Sequence, residues 1–264
     1  MSDPGVVAER QGSRRVTVRW LLHAGFVVDF PTGERVALDP YLSDIVGRRW
    51  GAKRTAPAPI SAEELKADYV IFSHWHEDHF DEDSLPGFAS HLATKFIGPA
   101  SCVRRMIGRG MDPNRVLGIS VGETLSLGNV GITAVLARHD LEGLETPDAI
   151  GTLLQSGSTS IYHSGDTEYD ARIHRQLSPT APTASLICIN GTGGNMDAHE
   201  AALLAVQIGS PYVLPMHFGL WSDNDYGDGA TLDPQIFAAT YASLGGSGSV
   251  IIPEVTTPLI LGVS

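Results

Sequence analysis

Three histidines and an aspartate lie within six positions of one another in His74-Trp-His76-Glu-Asp78-His79. The segment follows residues 69–72, an apolar run typical of a strand. A loop at a strand end can direct all four side chains to one point, and imidazole with carboxylate suits zinc, manganese or iron. The alternative is a polar surface loop, but these are three of only 10 histidines in 264 residues. The spacing therefore favours a metal site.

Further ligands are expected where other predicted strands end, because a metal centre usually needs more donors than one loop supplies. His139, Asp166 and His217 each come directly after an apolar run, the second through a Ser-Gly turn. Strand ends that meet at one edge of a sheet build the sites of open α/β proteins. Taken singly, each residue could equally be a surface or core polar group; with the cluster they form a candidate set.

The elements around these residues predict an α/β fold in one domain, residues 1–264, with two mixed sheets and helices outside. Strands are predicted at 16–22, 25–30, 35–39, 69–73, 95–97, 116–119, 123–127, 130–137, 150–155, 160–163, 185–189, 212–214, 250–252 and 259–261. Helices are predicted after the capping box Ser61-Ala-Glu-Glu64 and at 84–92, 100–109, 198–208 and 234–244. The strands from residue 116 onward should begin the second sheet.

Composition excludes several classes of protein. With 18 basic and 30 acidic residues, the net charge of −12 argues against nonspecific nucleic-acid binding. Cys102 and Cys188 are too few and too far apart for a disulfide framework or a thiolate cluster, so we expect two inert core thiols. Residues 1–5 carry an early acid and no apolar core, and no run is long enough for a bilayer span. A soluble cytoplasmic protein without a membrane partner is expected.

The order His-x-His-x-Asp-His, His139, Ser-Gly-Asp166 and Pro-Met-His217 resembles the metallo-β-lactamase superfamily across nearly the whole chain. The resemblance implies a four-layer αββα sandwich of two mixed β-sheets flanked by helices. It also implies hydrolysis of lactones, esters or phosphodiesters with one or two divalent ions, zinc or manganese. By motif position, one ion would be held by His74, His76 and His139, the other by Asp78, His79 and His217, and Asp166 would bridge them.

Several segments look like the L-ascorbate-6-phosphate lactonase branch of that superfamily, namely residues 96–102, 110–116, 162–166 and 214–218 with Trp221-Ser222. This finer resemblance implies a small, anionic lactone substrate and self-association. His139 stands where the lactonase pattern has an acid, so the substrate stays open and a hydrolase is the safer interpretation.

Catalysis at such a site needs no serine or cysteine nucleophile, because a divalent ion lowers the pKa of bound water to roughly 7. Asp78 is the predicted catalytic group that orients the hydroxide and takes up its proton. Asp39, at a predicted strand end before proline, could hold the outer nitrogen of a ligating imidazole or be a turn residue.

Candidate substrate-binding residues are His23, Arg48, Arg49 and Trp221. The basic run 48–54 could clamp an anion or be a solvated loop, and His23 could face the pocket or satisfy its turn. The glycine-rich segment 190–195 could receive a phosphate on backbone amides, although it lacks the lysine of a P-loop. The remaining histidines are expected to be structural or at the surface: His91, His163, His174 and His199.

The sequence thus predicts a metal-dependent hydrolase of a small, anionic lactone or ester. Two alternatives remain open at this point. One is a phosphodiesterase that uses the same ions, and the other is a noncatalytic metal-binding protein on the same scaffold.

Overall fold

Two seven-stranded mixed sheets face each other in the computed structural model, which describes residues 15–141, 143–255 and 257–262. The first sheet contains β1 Val16–Trp20, β2 Phe26–Asp29, β3 Arg35–Leu38, β4 Tyr69–Ile71, β5 Lys95–Gly98, β6 Val116–Gly118 and β14 Leu259–Leu261. The second contains β7 Thr124–Leu127, β8 Val130–Leu136, β9 Ile150–Ser156, β10 Thr159–His163, β11 Ala184–Cys188, β12 Tyr212–Met216 and β13 Ser249–Val250. The predicted sandwich of two mixed sheets is therefore confirmed.

Each sheet has a parallel half and an antiparallel half. The spatial orders are β14-β1-β2-β3-β4-β5-β6 and β13-β12-β11-β10-β9-β8-β7. Strands β3 to β6 run parallel, as do β10 to β13, and the other neighbours are antiparallel. Parallel neighbours end at the same edge, which is where polar side chains from several strands can meet.

Helices flank the two sheets. Their bounds are α1 Ile45–Trp50, α2 Leu85–Ala89, α3 Ala100–Gly108, α4 Ala171–Leu177, α5 Ala198–Ile208 and α6 Pro234–Ser243, with 3-10 turns at Pro113–Arg115 and Asp223–Tyr226. Helix α5 has the expected bounds because Asp197 and Glu200 form a capping box and Gly209 ends it in a left-handed conformation. None of the helices in the described residues is long and apolar enough to cross a membrane.

Alternation along the strands places apolar side chains on both faces of the first sheet. Val36 and Leu38 join the core between the sheets, whereas Ala37 faces the other way. On that outer face, Phe96 packs in one cluster with Cys102 and Met106 of α3. Both cysteines are free and fully buried, as core thiols should be. Burial of both faces holds the strand ends, and hence the site, in fixed relative positions.

Several predicted elements were wrong. The capping box at residues 61–64 forms its reciprocal bonds, but the chain makes one turn there and leaves at Lys66 with φ +44°. Strand β6 pairs with β5 and belongs to the first sheet, not the second. The element predicted at 84–92 is the short helix α2, and of the strand predicted at 250–252 only Val250 lies in a strand, the two-residue β13. Helices α1 and α4 were missed, and the expectation about residues 1–5 lies outside the described residues.

Candidate metal centre

All seven predicted ligands lie at one edge of the sandwich, where strands of both sheets end. The loop after β4 carries His74, His76, Asp78 and His79. His139 follows β8, Asp166 follows β10, and His217 follows β12 directly. The first sheet thus supplies four donors and the second sheet three.

Three histidine nitrogens form the first group of donors. His74 Nε2 and His139 Nε2 each lie 3.0 Å from Nδ1 of His76. All three side chains are buried, and their candidate ligand atoms lie within 4.8 Å of one another. Neutral imidazoles have no reason to turn lone pairs toward each other unless a cation lies between them, so this group fits a metal ion.

Asp78, His79 and His217 form the second group. Asp78 Oδ2 lies 3.6 Å from His79 Nε2 and 3.5 Å from His217 Nε2, and the two nitrogens are 3.2 Å apart. Donors bonded to one tetrahedral zinc are about 3.4 Å apart, from bond lengths of about 2.0–2.1 Å. The spacing of this group therefore also fits a metal ion.

Asp166 lies between the two groups. Its Oδ1 is 3.2 Å from His79 Nε2, and its Oδ2 is 3.1 Å from His217 Nε2 and 3.8 Å from His139 Nε2. Oδ1 is buried and finds no hydrogen-bond partner within the described parts of the chain. A buried carboxylate oxygen without a donor is costly, so this atom is suited to a cation.

In four of the five candidate ligand histidines, the outer ring nitrogen, which faces away from the donor group, contacts an oxygen atom. His76 Nε2 donates to the carbonyl of Leu144 at 2.8 Å, and His139 Nδ1 donates to that of Gly194 at 3.4 Å. His79 Nδ1 donates to Asp39 Oδ2 at 2.7 Å, and His74 Nδ1 donates to Ser73 Oγ at 2.9 Å. Each contact places the hydrogen on the outer nitrogen and leaves the inner lone pair available for an ion.

Asp39 orients two of these histidines at once. It contacts His79 directly, and its Oδ2 also accepts from Ser73 Oγ at 2.6 Å, so it acts on His74 through that hydroxyl. Its Oδ1 accepts from the backbone N–H of Ser73 at 2.7 Å. Asp39 therefore touches a ligand's outer nitrogen, as one of the two sequence hypotheses proposed.

The turn that presents Asp166 depends on glycine and on a buried histidine. Gly165 has φ +59°, and a Cβ there would lie 2.8 Å from both the carbonyl of Ile150 and Cβ of Ser73. His163 accepts from the N–H of Gly165 at 3.1 Å and donates to the carbonyl of Ala24 at 2.8 Å. Asn195 completes the support by donating to Asp166 Oδ2 at 2.7 Å.

Opposing effects set the protonation of the second group. Burial disfavours charge on His79, but Asp166, Asp78 and Asp39 raise its pKa well above the usual value. Burial likewise acts against charge on His217, yet Asp166 and Asp78 raise its pKa to about 9. In the first group, burial and the neighbouring histidines lower the pKa of His74 well below its usual range. In the absence of an ion, protons on His79 and His217 therefore compensate the negative charge of the neighbouring carboxylates.

Ion binding to the metal-free protein is expected to tighten as the pH rises from about 6.5 to about 9, because the proton on His217 must leave before its lone pair can bind. His217 keeps its proton below its raised pKa, so an ion competes with that proton at neutral pH. Above that pKa the proton is lost and the competition ends. Each displaced proton changes the apparent association constant by about tenfold per pH unit. Calorimetric titration with Mn²⁺ in buffers of different ionisation enthalpy measures the affinity and the protons released; a flat affinity over this range contradicts the assignment.

A cavity of about 210 Å³ opens beside the two groups. Its apolar wall consists of Val46, Trp50, Leu141, Leu144, Trp221 and Tyr226, and its polar wall includes Asn190, Thr192 and Asn195. Acids outside the ligand set also line it, namely Glu77 and Asp225, whereas no lysine or arginine of the described chain does. The volume is below the roughly 300–1,000 Å³ typical of drug-sized ligands, so the cavity suits a small molecule.

The structure does not bring Arg48 and Arg49 to this cavity. Arg48 pairs with Asp83, and Arg49 contacts Glu77 at 2.5 Å and Glu82 at 3.1 Å. These acids neutralise both arginines, so the geometry gives no support to the prediction that Arg48 and Arg49 bind substrate. Trp221, in contrast, lines the cavity as predicted.

The geometry also bears on His23 and on the glycine-rich segment 190–195. His23 is fully buried beneath the second group and does not line the cavity. The segment 190–195 contacts His139 through the Gly194 carbonyl and Asp166 through the Asn195 amide, a supporting role that the sequence did not indicate. The orienting roles of Ser73, Leu144 and Asn195 were missed.

Comparison with known proteins agrees with the fold and with a metal-dependent hydrolase. The family model "Beta-lactamase superfamily domain" matches residues 17–217. The UPF0173 metal-dependent hydrolase of Anaeromyxobacter dehalogenans strain 2CP-1 is 31% identical over 220 residues, 78% of this chain and 75% of that protein. That of Methanopyrus kandleri is 26% identical over 245 residues, 90% of this chain and 96% of that protein. Igni18, a metallo hydrolase from Ignicoccus hospitalis, has a TM-score of 0.74 at 22% identity, covering 94% of this chain and 99% of its own.

The fold and site thus define a protein of the metallo-β-lactamase superfamily, as the sequence motifs predict. Within it, the chain belongs to the UPF0173 metal-dependent hydrolase family. The finer resemblance to the ascorbate-6-phosphate lactonase branch stays a prediction.

Proposed function

We propose that the chain hydrolyses a small, uncharged lactone or ester with the help of two divalent ions, zinc or manganese. The observation that carries the proposal is the set of ligand histidines whose outer nitrogens are held by oxygen atoms beside a cavity. When bound, the ions would lower the pKa of water to roughly 7 and polarise the scissile carbonyl.

Asp78 is the residue best placed to act on the attacking water. Its side chain lines the cavity and is 17% exposed, whereas His79 beside it is fully buried. Burial raises the pKa of Asp78, but His79, His217 and His23 lower it well below the usual value. The carboxylate is therefore ionised at neutral pH and accepts a hydrogen bond from water, which orients the lone pair of that water toward a substrate carbonyl.

The cavity walls favour an uncharged substrate over an anionic one. Outside the ligand set, the charged residues on the described lining are Glu77, which pairs with Arg49, and Asp225, so the lining adds no cation that would bind an anion. Trp50 is 61% exposed at the cavity and can cover an apolar group. The expectation of an anionic substrate finds no support among these side chains.

The same walls weigh against the first alternative, a phosphodiesterase. Enzymes of phosphoryl transfer usually add arginine or lysine to their ions to stabilise charge on the phosphate. The lining offers neither within the described residues. For the noncatalytic alternative, structural metal sites are closed by protein ligands, whereas here the second group borders a cavity.

A matched pair of esters tests the proposal. Protein stripped by a chelator and reloaded with Zn²⁺ or Mn²⁺ should hydrolyse p-nitrophenyl butyrate and δ-valerolactone. Mono-p-nitrophenyl succinate has a carboxylate where the butyrate ester has its terminal methyl group. The kcat/KM for this anionic ester should be about tenfold lower, a difference of about 1.4 kcal/mol in activation free energy. Bis-(p-nitrophenyl) phosphate should remain intact, and the chelated protein should be inactive.

Two outcomes contradict this function. Faster cleavage of the phosphodiester than of either ester would assign a phosphodiesterase. No turnover of any of the four compounds by fully loaded protein would favour a noncatalytic role. Cytoplasmic location and self-association stay predictions.

A further inference from the structure

His23 lies beneath the second group of donors in an unusual backbone conformation. It belongs to the turn between β1 and β2, where Leu22 has φ +75° and His23 has φ +56°. Residues other than glycine rarely adopt this left-handed region, because it strains the backbone. The side chain is fully buried. A strained, buried histidine next to a metal site needs a role beyond forming a turn.

The imidazole of His23 contacts Asp78. His23 Nε2 lies 2.9 Å from Asp78 Oδ2, and since an ionised carboxylate only accepts, Nε2 carries the hydrogen. Asp78 Oδ2 is 3.5–3.6 Å from the nitrogens of His217 and His79, close to the separation of ligands on one ion. The contact to His23 is shorter and has the length of a hydrogen bond. A ring nitrogen of His23 lies within 4.8 Å of the candidate ligand atoms of this group, so distance alone does not separate a ligand from a donor. The hydrogen on Nε2 faces Asp78, which assigns His23 as a donor to a ligand.

His23 also fixes His217. The two ring centroids are 3.7 Å apart, and the His23 carbonyl accepts the backbone N–H of His217 at 3.0 Å. The same carbonyl accepts from Trp20 Nε1 at 2.9 Å, which ties the turn to β1. One residue thus reaches two of the three side chains of the second group, one through its ring nitrogen and the other through its ring face and backbone.

We propose that His23 is a positioning residue for the second ion: its Nε2–H holds Asp78, and its ring holds His217. The inference rests on the proposed metal site, but not on the identity of the substrate. Without the Nε2–H donor, Asp78 can rotate away from the ion. The first group, His74, His76 and His139, makes no such contact with His23 within the described residues. Loss of His23 should therefore weaken one ion only.

Two substitutions separate the parts of this role. His23→Phe keeps a ring over His217 and removes the donor, whereas His23→Gln can place an amide N–H near the position of Nε2. Co²⁺ titration of metal-free protein, followed by visible absorption, resolves the two ions in sequence. His23→Phe should bind the first Co²⁺ like the unmodified protein and the second about 10–100-fold more weakly. His23→Gln should restore the second affinity to within about threefold, with the same absorption spectrum.

His91→Phe is the matched control, because His91 bonds Thr94 and lies outside the site. It should leave both Co²⁺ affinities unchanged. At saturating metal, His23→Phe should lower kcat for the hydrolysed ester and leave KM unchanged, since the substrate does not contact His23. If His23→Phe does not fold, as judged by circular dichroism, His23→Leu takes its place in the comparison with His23→Gln.

Unchanged affinity for both ions in the variant without a donor overturns the inference. A failure of His23→Gln to restore the second ion, or a changed spectrum of that ion, also overturns it, because it would indicate direct ligation by His23. Ion binding decides these outcomes even if no ester is hydrolysed, so failure of the inference and failure of the proposed function are distinguishable.

Discussion

Asp166→Asn is expected to lower kcat/KM for the hydrolysed ester by roughly 10²- to 10⁴-fold. The variant keeps the shape of the side chain and can still accept from Asn195, but it loses the negative charge between His79, His139 and His217. Removing one partner from a buried set of charges costs about 3–5 kcal/mol, which corresponds to that loss. Elemental analysis should show that the variant retains one ion of the two.

Asp170→Asn is the matched control for this substitution. Asp170 caps helix α4 by accepting from the N–H of Arg172, and asparagine caps helices equally well. This variant should keep its activity and both ions. Two bound ions and activity within about threefold of the unmodified protein in Asp166→Asn would refute the bridging role.

Asp39→Asn is expected to weaken ion binding by about 10–100-fold, the usual effect of losing a residue that orients a metal ligand. Asp39 accepts three hydrogen bonds, two from Ser73 and one from His79 Nδ1. An asparagine has one acceptor oxygen, so its amide N–H₂ must face at least one of these donors. His79 or His74 then loses its fixed orientation. Excess ion in the assay should recover activity, because the ligands themselves remain.

Asp81→Asn distinguishes this effect from a general loss of stability. Asp81 is also fully buried and accepts from the N–H groups of Leu42 and Ser43 at 2.9 and 2.7 Å. It makes none of its described hydrogen bonds to a ligand histidine. Both variants should unfold at lower temperature, but only Asp39→Asn should bind ions more weakly. Equal ion affinities in the two variants would contradict the role of Asp39.

The convergence of the candidate ligands could be predicted from sequence because core packing does not explain these residues. Burying an imidazole or a carboxylate at a strand end costs free energy unless the group has a binding partner. His139, Asp166 and His217 could therefore be recognised before the sheets were known. The apolar character of the strands was equally informative, since β8 alternates between buried and half-buried side chains and β9 is buried along most of its length. Short elements carried too little signal: α1 and α4 span six and seven residues, less than two turns of helix.

Contacts between distant segments could not be predicted in the same way. The oxygen atoms that orient His76 and His139 are backbone carbonyls of Leu144 and Gly194, which every residue type offers. The acids that neutralise Arg49 lie 28 and 33 positions away, so the basic run looked unpaired in the sequence. Likewise, β6 sits beside β5 because of pairing across the fold, while its residues alone suit either sheet.

Because the donors are divided between the two sheets, packing between the sheets affects which ion the site prefers. The first sheet's loop carries four donors and the second sheet's loops three, and each of the two groups draws on both sheets. A sliding of one sheet over the other would displace three donors together, and metal sites tolerate shifts of only about 0.5 Å. Apolar side chains far from the edge, by setting how the sheets sit on each other, thus help to select which cation fits.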